Sequence, residues 1–90
     1  MMNIAGVLVH AKPGQVDKVE KELKEISGVE VHGVTKNGRL IVTIEKHYEN
    51  LIVDTVLQLH DIEGVLSAAI VYQYSDDDDE GGAGLSRKLW

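Results

Sequence analysis

The stretch ISGVEV, residues 26–31, has a counterpart 36 residues later in IEGVLS, residues 62–67. In both, an apolar residue is followed by a polar residue, a glycine and a valine, a pattern typical of a helix that ends at glycine and leads into a strand. The same offset relates apolar positions on either side: Ile4 to Leu40, Leu8 to Ile44, Val16 to Ile52, Leu23 to Leu59 and Ile26 to Ile62. The chain therefore contains two copies of one strand–helix–strand unit.

The first copy opens with an aliphatic strand over residues 3–11. Pro13 follows it and suits the first turn of a helix, where a missing backbone N–H costs nothing. Apolar residues then recur at spacings of three and four up to Ser27 and Gly28, which predicts an amphipathic helix. A half-buried strand follows from Val29.

The second copy is joined to the first by a hairpin, because Asn37-Gly38 favours the positive φ angles of a type I′ turn. A strand over 40–45, a helix over about 48–61 and a last strand over 63–74 complete it. The order β-α-β-β-α-β predicts an α+β, ferredoxin-like fold. We expect a four-stranded antiparallel sheet in the order 4-1-3-2, with both helices on one face.

Two helices cover only one face of such a sheet, and 90 residues leave nothing for the other. The pattern predicts that the helices meet Ile4, Gly6, Leu8, Leu40, Val42, Ile44, Ser67, Ala69 and Val71. The open face is then predicted to hold Ala5, Val7, Val9, Ile41, Thr43, Leu66, Ala68, Ile70 and Tyr72. A shift of one residue would exchange the two sets. Either set is apolar, so we expect a partner, a second copy or the tail to cover this face.

The charge of −6 is divided equally between two regions. Residues 75–90 hold Asp76–Glu80 against Arg87 and Lys88, and residues 1–74 hold ten acidic against seven basic side chains. We expect one domain over 1–74 and an acidic, glycine-containing flexible tail over 75–90, with Trp90 frayed. An acidic domain disfavours nucleic acid and favours a cationic partner.

Catalytic and metal-binding patterns are absent from the sequence. There is no cysteine, and the four histidines lack the spacing of a ligand set, so we expect surface or hydrogen-bonded histidines. The serines have no nucleophile context. We expect no enzyme activity, no metal and no cofactor. The N-terminus lacks the basic and apolar regions of a signal peptide, and no apolar run is long enough to span a membrane, which predicts a cytoplasmic protein.

Four segments together resemble the NapD family, the chaperones of periplasmic nitrate reductase: VLVHAKP, GVEVHG, GRLIVTIE and IEGVLSAAIVYQY. The resemblance covers residues 4 to about 74. It implies a cytoplasmic chaperone without cofactor or reaction. It further implies binding of the twin-arginine signal peptide of the nitrate reductase catalytic subunit NapA, which restrains export until the molybdenum cofactor is inserted.

Strand phase suggests how such a peptide would bind. Its apolar part would lie on the predicted open face, at Ala5, Val7, Val9, Ile41, Thr43, Leu66, Ala68, Ile70 and Tyr72, and Glu45, with Glu30 second, would receive the arginines. We expect a monomer, with weak self-association through the open face as an alternative state. The alternative function is a dimeric ferredoxin-like domain that senses a small ligand.

Overall fold

A computed structural model describes residues 2–75 of the chain. Its elements are β1 Asn3–Ala11, α1 Val16–Lys24, β2 Val29–Val34, β3 Arg39–Lys46, α2 Glu49–His60 and β4 Val65–Ser75. The predicted order of elements is confirmed. The acidic run and Trp90 of the predicted tail lie outside the described residues.

The four strands form one antiparallel sheet in the order β2-β3-β1-β4, as predicted. α1 packs beside β2, and α2 packs on β4 and the central strands. The core lies between these helices and one face of the sheet. Helix residues Val19, Leu23, Ile52 and Leu59 are fully buried there. The architecture is the ferredoxin-like split βαββαβ fold.

The phase predicted for β3 is confirmed, whereas that for β1 is wrong. Leu40, Val42 and Ile44 are fully buried under the helices. Directly opposite residues of an antiparallel pair share a face, and these three pair with Val9, Val7 and Ala5. The predicted open-face residues Ala5, Val7 and Val9 are therefore core residues, with exposures of 0%, 1% and 0%. The error arose because β1 is apolar on both faces, so its sequence does not alternate.

β4 has no single phase, because its pairing with β1 slips twice. Gly6 pairs with Tyr72 but Val7 pairs with Ile70, which leaves Val71 as an extra residue. A second slip leaves Leu66 extra. Such bulges reverse the side to which the following residues point.

The slips overturn several predicted positions on β4. Ala68 pairs with Val9 and is only 8% exposed, so it lies in the core. Ile70 pairs with Val7 and lies on the helix side, at the sheet edge. Ser67 and Ala69, predicted to face the helices, are exposed and lie on the open side with their β1 partners His10 and Leu8.

Two turns also differ from prediction. Pro13 does not begin α1: it lies in a turn closed by a 2.9 Å hydrogen bond from Gln15 N–H to the Lys12 carbonyl, with Gly14 at φ 84°. The hairpin closes with a 2.8 Å hydrogen bond from Thr35 N–H to the Arg39 carbonyl, so its loop has three residues, 36–38, and ends at Gly38 with φ 83°. This loop replaces the predicted two-residue type I′ turn.

Candidate functional site

The face of the sheet away from the helices is apolar along its middle. Since Ala5, Val7 and Val9 point into the core, the alternate residues of β1 point to the open side. Large apolar side chains from three strands meet there: Ile4, Leu8, Ile41, Tyr72 and Tyr74. Ile41, Tyr72 and Tyr74 are 49%, 38% and 40% exposed. We call these five residues the open-face stripe.

Tyr72 is held across the central strand by a glycine. A Cβ placed on Gly6 would lie less than 3 Å from three atoms of the Tyr72 ring. Gly6 therefore lets the ring approach the β1 backbone closely, and Gly6 is itself buried. At this point the open face presents the Tyr72 ring and no side chain from β1.

A groove of about 720 Å³ lies at one end of the stripe. Ile4, Thr43 and Tyr72 line it from the sheet, and the turn that follows α1 forms its other wall. Three carboxylates also line this groove, those of Glu25, Glu30 and Glu45. All three residues are exposed.

Two basic side chains near the groove already have partners. Lys24 Nζ lies 3.2 Å from a carboxylate oxygen of Glu20, and Lys46 Nζ donates a 2.9 Å hydrogen bond to the Ser27 carbonyl. Within residues 2–75, by contrast, the carboxylates of Glu25 and Glu45 have no ion-pair partner. The groove is therefore locally acidic and is suited to a cationic group.

His32 borders the same groove. Its Nε2 lies 2.7 Å from Thr43 Oγ1 and 3.6 Å from a carboxylate oxygen of Glu30. It is thus a hydrogen-bonded surface histidine, as predicted. In the part of the chain that the structure describes, no group of three or more His, Asp or Glu side chains is arranged to hold a metal ion.

The structure keeps part of the predicted site together. Ile41, Thr43, Glu45 and Tyr72 lie on the open face, and the exposed Leu66 lies at a bulge of β4. The open face lacks Ala5, Val7, Val9, Ala68 and Ile70, for the reasons given above. Sequence reasoning missed Ile4, Leu8 and Tyr74. Tyr74 could have been found, because it lies two residues after Tyr72 and therefore on the same face of the strand.

None of the helices in residues 2–75 is long and apolar enough to cross a membrane. An acidic groove joined to an apolar sheet face gives this ferredoxin-like domain the surface of a binding module. The NapD protein family model matches residues 2–77, and the chain belongs to the NapD family of chaperones.

Named relatives agree with this assignment. The chain is 26% identical to Chaperone NapD of Escherichia coli K12 over 78 residues, 86% of this chain and 90% of that one. It is 22% identical to Chaperone NapD of Haemophilus influenzae over 76 residues, 83% and 82% of the two chains.

A solved structure shares the fold. The solution structure of the E. coli Tat proofreading chaperone protein NapD superimposes with a TM-score of 0.75 at 24% identity. The match covers 99% of this chain and 92% of the other.

Proposed function

We propose that this protein binds, in the cytoplasm, the twin-arginine signal peptide of a periplasmic nitrate reductase catalytic subunit, NapA. Binding would restrain export of the precursor until its molybdenum cofactor is inserted. The observation that carries the proposal is the open-face stripe ending in a groove with three carboxylates. The E. coli relative described as a Tat proofreading chaperone supports it.

The dimensions of the face suit a peptide with arginines at one end and an apolar segment behind them. Glu45 at the groove follows Ile41 on the stripe by four residues along β3, about 13 Å at ~3.3 Å per residue. A helical peptide covers that distance with roughly nine residues at 1.5 Å each. An amphipathic helix would therefore place its apolar side on the stripe while its arginines reach the groove.

The open-face stripe and the groove would contribute differently to peptide binding. Covering about 400 Å² of apolar surface at ~25 cal/mol per Å² contributes roughly 10 kcal/mol before association costs. The carboxylates of Glu30 and Glu45 would accept paired hydrogen bonds from guanidinium groups, which fixes the direction of the peptide. Affinity then comes mainly from the stripe, and preference for twin arginine comes from the groove.

Calorimetric titration of the full chain with a synthetic twin-arginine signal peptide tests the proposal. We expect binding at micromolar or tighter affinity, and weakening of about tenfold or more when both arginines are replaced by glutamine, since charged hydrogen bonds contribute ~1.5–3 kcal/mol each. Equal affinity for both peptides, or no binding of either, would contradict it.

Ile41→Glu tests the position of the site. The charge would lie in the middle of the stripe, so we expect loss of peptide binding with an unchanged thermal midpoint, because Ile41 is half exposed. Val34→Glu is the control: Val34 is 43% exposed and pairs with the core residue Leu40, so it lies on the helix side. Loss of binding in both variants would place the peptide elsewhere.

Glu45→Gln distinguishes the contribution of the groove to peptide binding from that of the stripe. It should weaken the twin-arginine peptide but leave the glutamine peptide unaffected, because only arginine loses a charged partner. An equal loss for both peptides would show that Glu45 supports the fold and does not receive arginine.

A further inference from the structure

The two edges of the sheet differ in how they are protected. β2 is six residues long, carries Glu30 and His32, and slips in register between Val31 and Gly33. Charged side chains of this kind oppose edge-to-edge pairing. β4 is eleven residues long and contains neither a charged residue nor proline. Its two bulges leave regular runs over 67–70 and 72–75.

Exposed apolar side chains continue from the β4 edge into the helix layer. Gln58 and Ile62 face α1, since they line a groove with Lys18 and Glu22 of that helix. Val53 lies five residues before Gln58, about 140° around the helix from it, and so points away from α1. α1 packs beside β2, whereas α2 packs on β4. The side of α2 that points away from α1 therefore points toward the β4 edge.

The middle of this flank is apolar, and Glu49 and His60 lie at its two ends. Val53 and Leu57, one turn apart, are 49% and 58% exposed. Ile70, on the helix side of β4, is 39% exposed, and the bulge residue Val71, next to it along the edge strand, is 49% exposed. The edge strand and the helix flank together form one surface, which we call the β4–α2 edge: Val53, Leu57, Ile70 and Val71.

We propose that the β4–α2 edge docks a second copy of this chain, with the two β4 strands antiparallel about a two-fold axis. The occupant must offer both a free strand edge and an apolar helix flank in the adjoining layer, and the chain's own β4–α2 edge offers both. An uncharged strand also pairs with itself without placing like charges opposite one another. The product is an eight-stranded sheet with both open faces on the same side.

The area available sets the strength of this dimer. Eleven residues span about 36 Å at ~3.3 Å each, and the helix layer adds contacts about 10 Å above the sheet. The footprint is roughly 500 Å² on each copy, at the low end for specific interfaces. The dimer is therefore weak and forms in the upper micromolar range. The charge of −6 on each copy opposes it, so added salt strengthens it.

Sedimentation equilibrium of the full chain at increasing concentration tests the proposal. The expected result is a shift from 9.9 kDa toward twice that mass, larger at high salt. Val71→Glu and Leu57→Glu should each weaken the dimer tenfold or more, since both bury a charge at the interface. Val34→Glu adds the same charge near the β2 edge and should leave the dimer unchanged.

Other results would overturn the proposal. A single 9.9 kDa species at millimolar concentration would exclude the dimer. Loss of the dimer in Ile41→Glu but not in Leu57→Glu would place the contact on the open face. Because Leu57 lies in the helix layer, Leu57→Glu should keep its affinity for the twin-arginine peptide, so this test can fail without affecting the proposed function.

Discussion

The reversed phase of β1 can be measured with two valine-to-alanine variants. Val7→Ala removes a side chain that is 1% exposed, and Val71→Ala one that is 49% exposed. Two buried methylene-sized groups contribute about 0.8 kcal/mol each. A residual cavity of up to ~50 Å³ adds about 1 kcal/mol at ~24 cal/mol per Å³. Val7→Ala should therefore lower the free energy of unfolding by about 2–3 kcal/mol.

Val71→Ala should lower the free energy of unfolding by about 1 kcal/mol or less. Half of that side chain is already in water, so the loss comes from the remaining buried surface and from the lower strand preference of alanine. Urea denaturation at low micromolar concentration, followed by circular dichroism, measures both values in the monomer. In heat denaturation the difference corresponds to roughly 5–15 °C, since 1 kcal/mol shifts the midpoint of a domain this size by about 4–8 °C. A larger cost for Val71→Ala than for Val7→Ala would refute the structural phase and restore the one that the sequence pattern predicts.

Two further variants test local features near the groove. Gly28→Ala should destabilise the protein by at least about 2 kcal/mol, because Gly28 has φ 83° and its Cβ would lie 2.5 Å from the Glu45 carbonyl oxygen. Gly14→Ala, at φ 84° with nothing within 4 Å, should cost only about 1 kcal/mol, and equal losses in urea denaturation would show that the carbonyl contact is unimportant. Asn3→Ala should cost about 1–2 kcal/mol, because the 6% exposed Asn3 donates a 3.0 Å hydrogen bond to the His47 carbonyl. Asn50→Ala, at an exposed helix position, should cost nothing, and a similar loss there would mean that the Asn3 bond is not the cause.

The residues of the groove show the limit of sequence reasoning about this site. Glu45 and Glu30 were found because charged residues stand out in apolar strands. Glu25 was not found: it follows α1 in sequence and reaches the groove only through the turn that brings 25–28 beside β3. The 2.8 Å hydrogen bond from Glu45 N–H to the Gly28 carbonyl joins these two segments. Nothing in their local sequence records this contact, since it joins residues 17 apart.

The order of elements and the strand order were determined by the sequence alone. The reason is that two copies of one amphipathic unit, each ended by glycine, leave few ways to bury both helices on one sheet. The faces of β3 followed as well, since Val42 and Ile44 alternate with the polar residues Thr43 and Glu45.

The faces of β1 and β4 were decided only by the tertiary structure. In β1 every residue from Ile4 to Val9 is apolar or small, so either side could have entered the core. Pairing with β3 made the choice, because Val7 lies opposite Val42. In β4 the two bulges change the face to which the following side chains point. A bulge is defined by the register of a strand with its neighbour. The composition of the open face therefore depends on contacts between strands, which no periodicity within one strand contains.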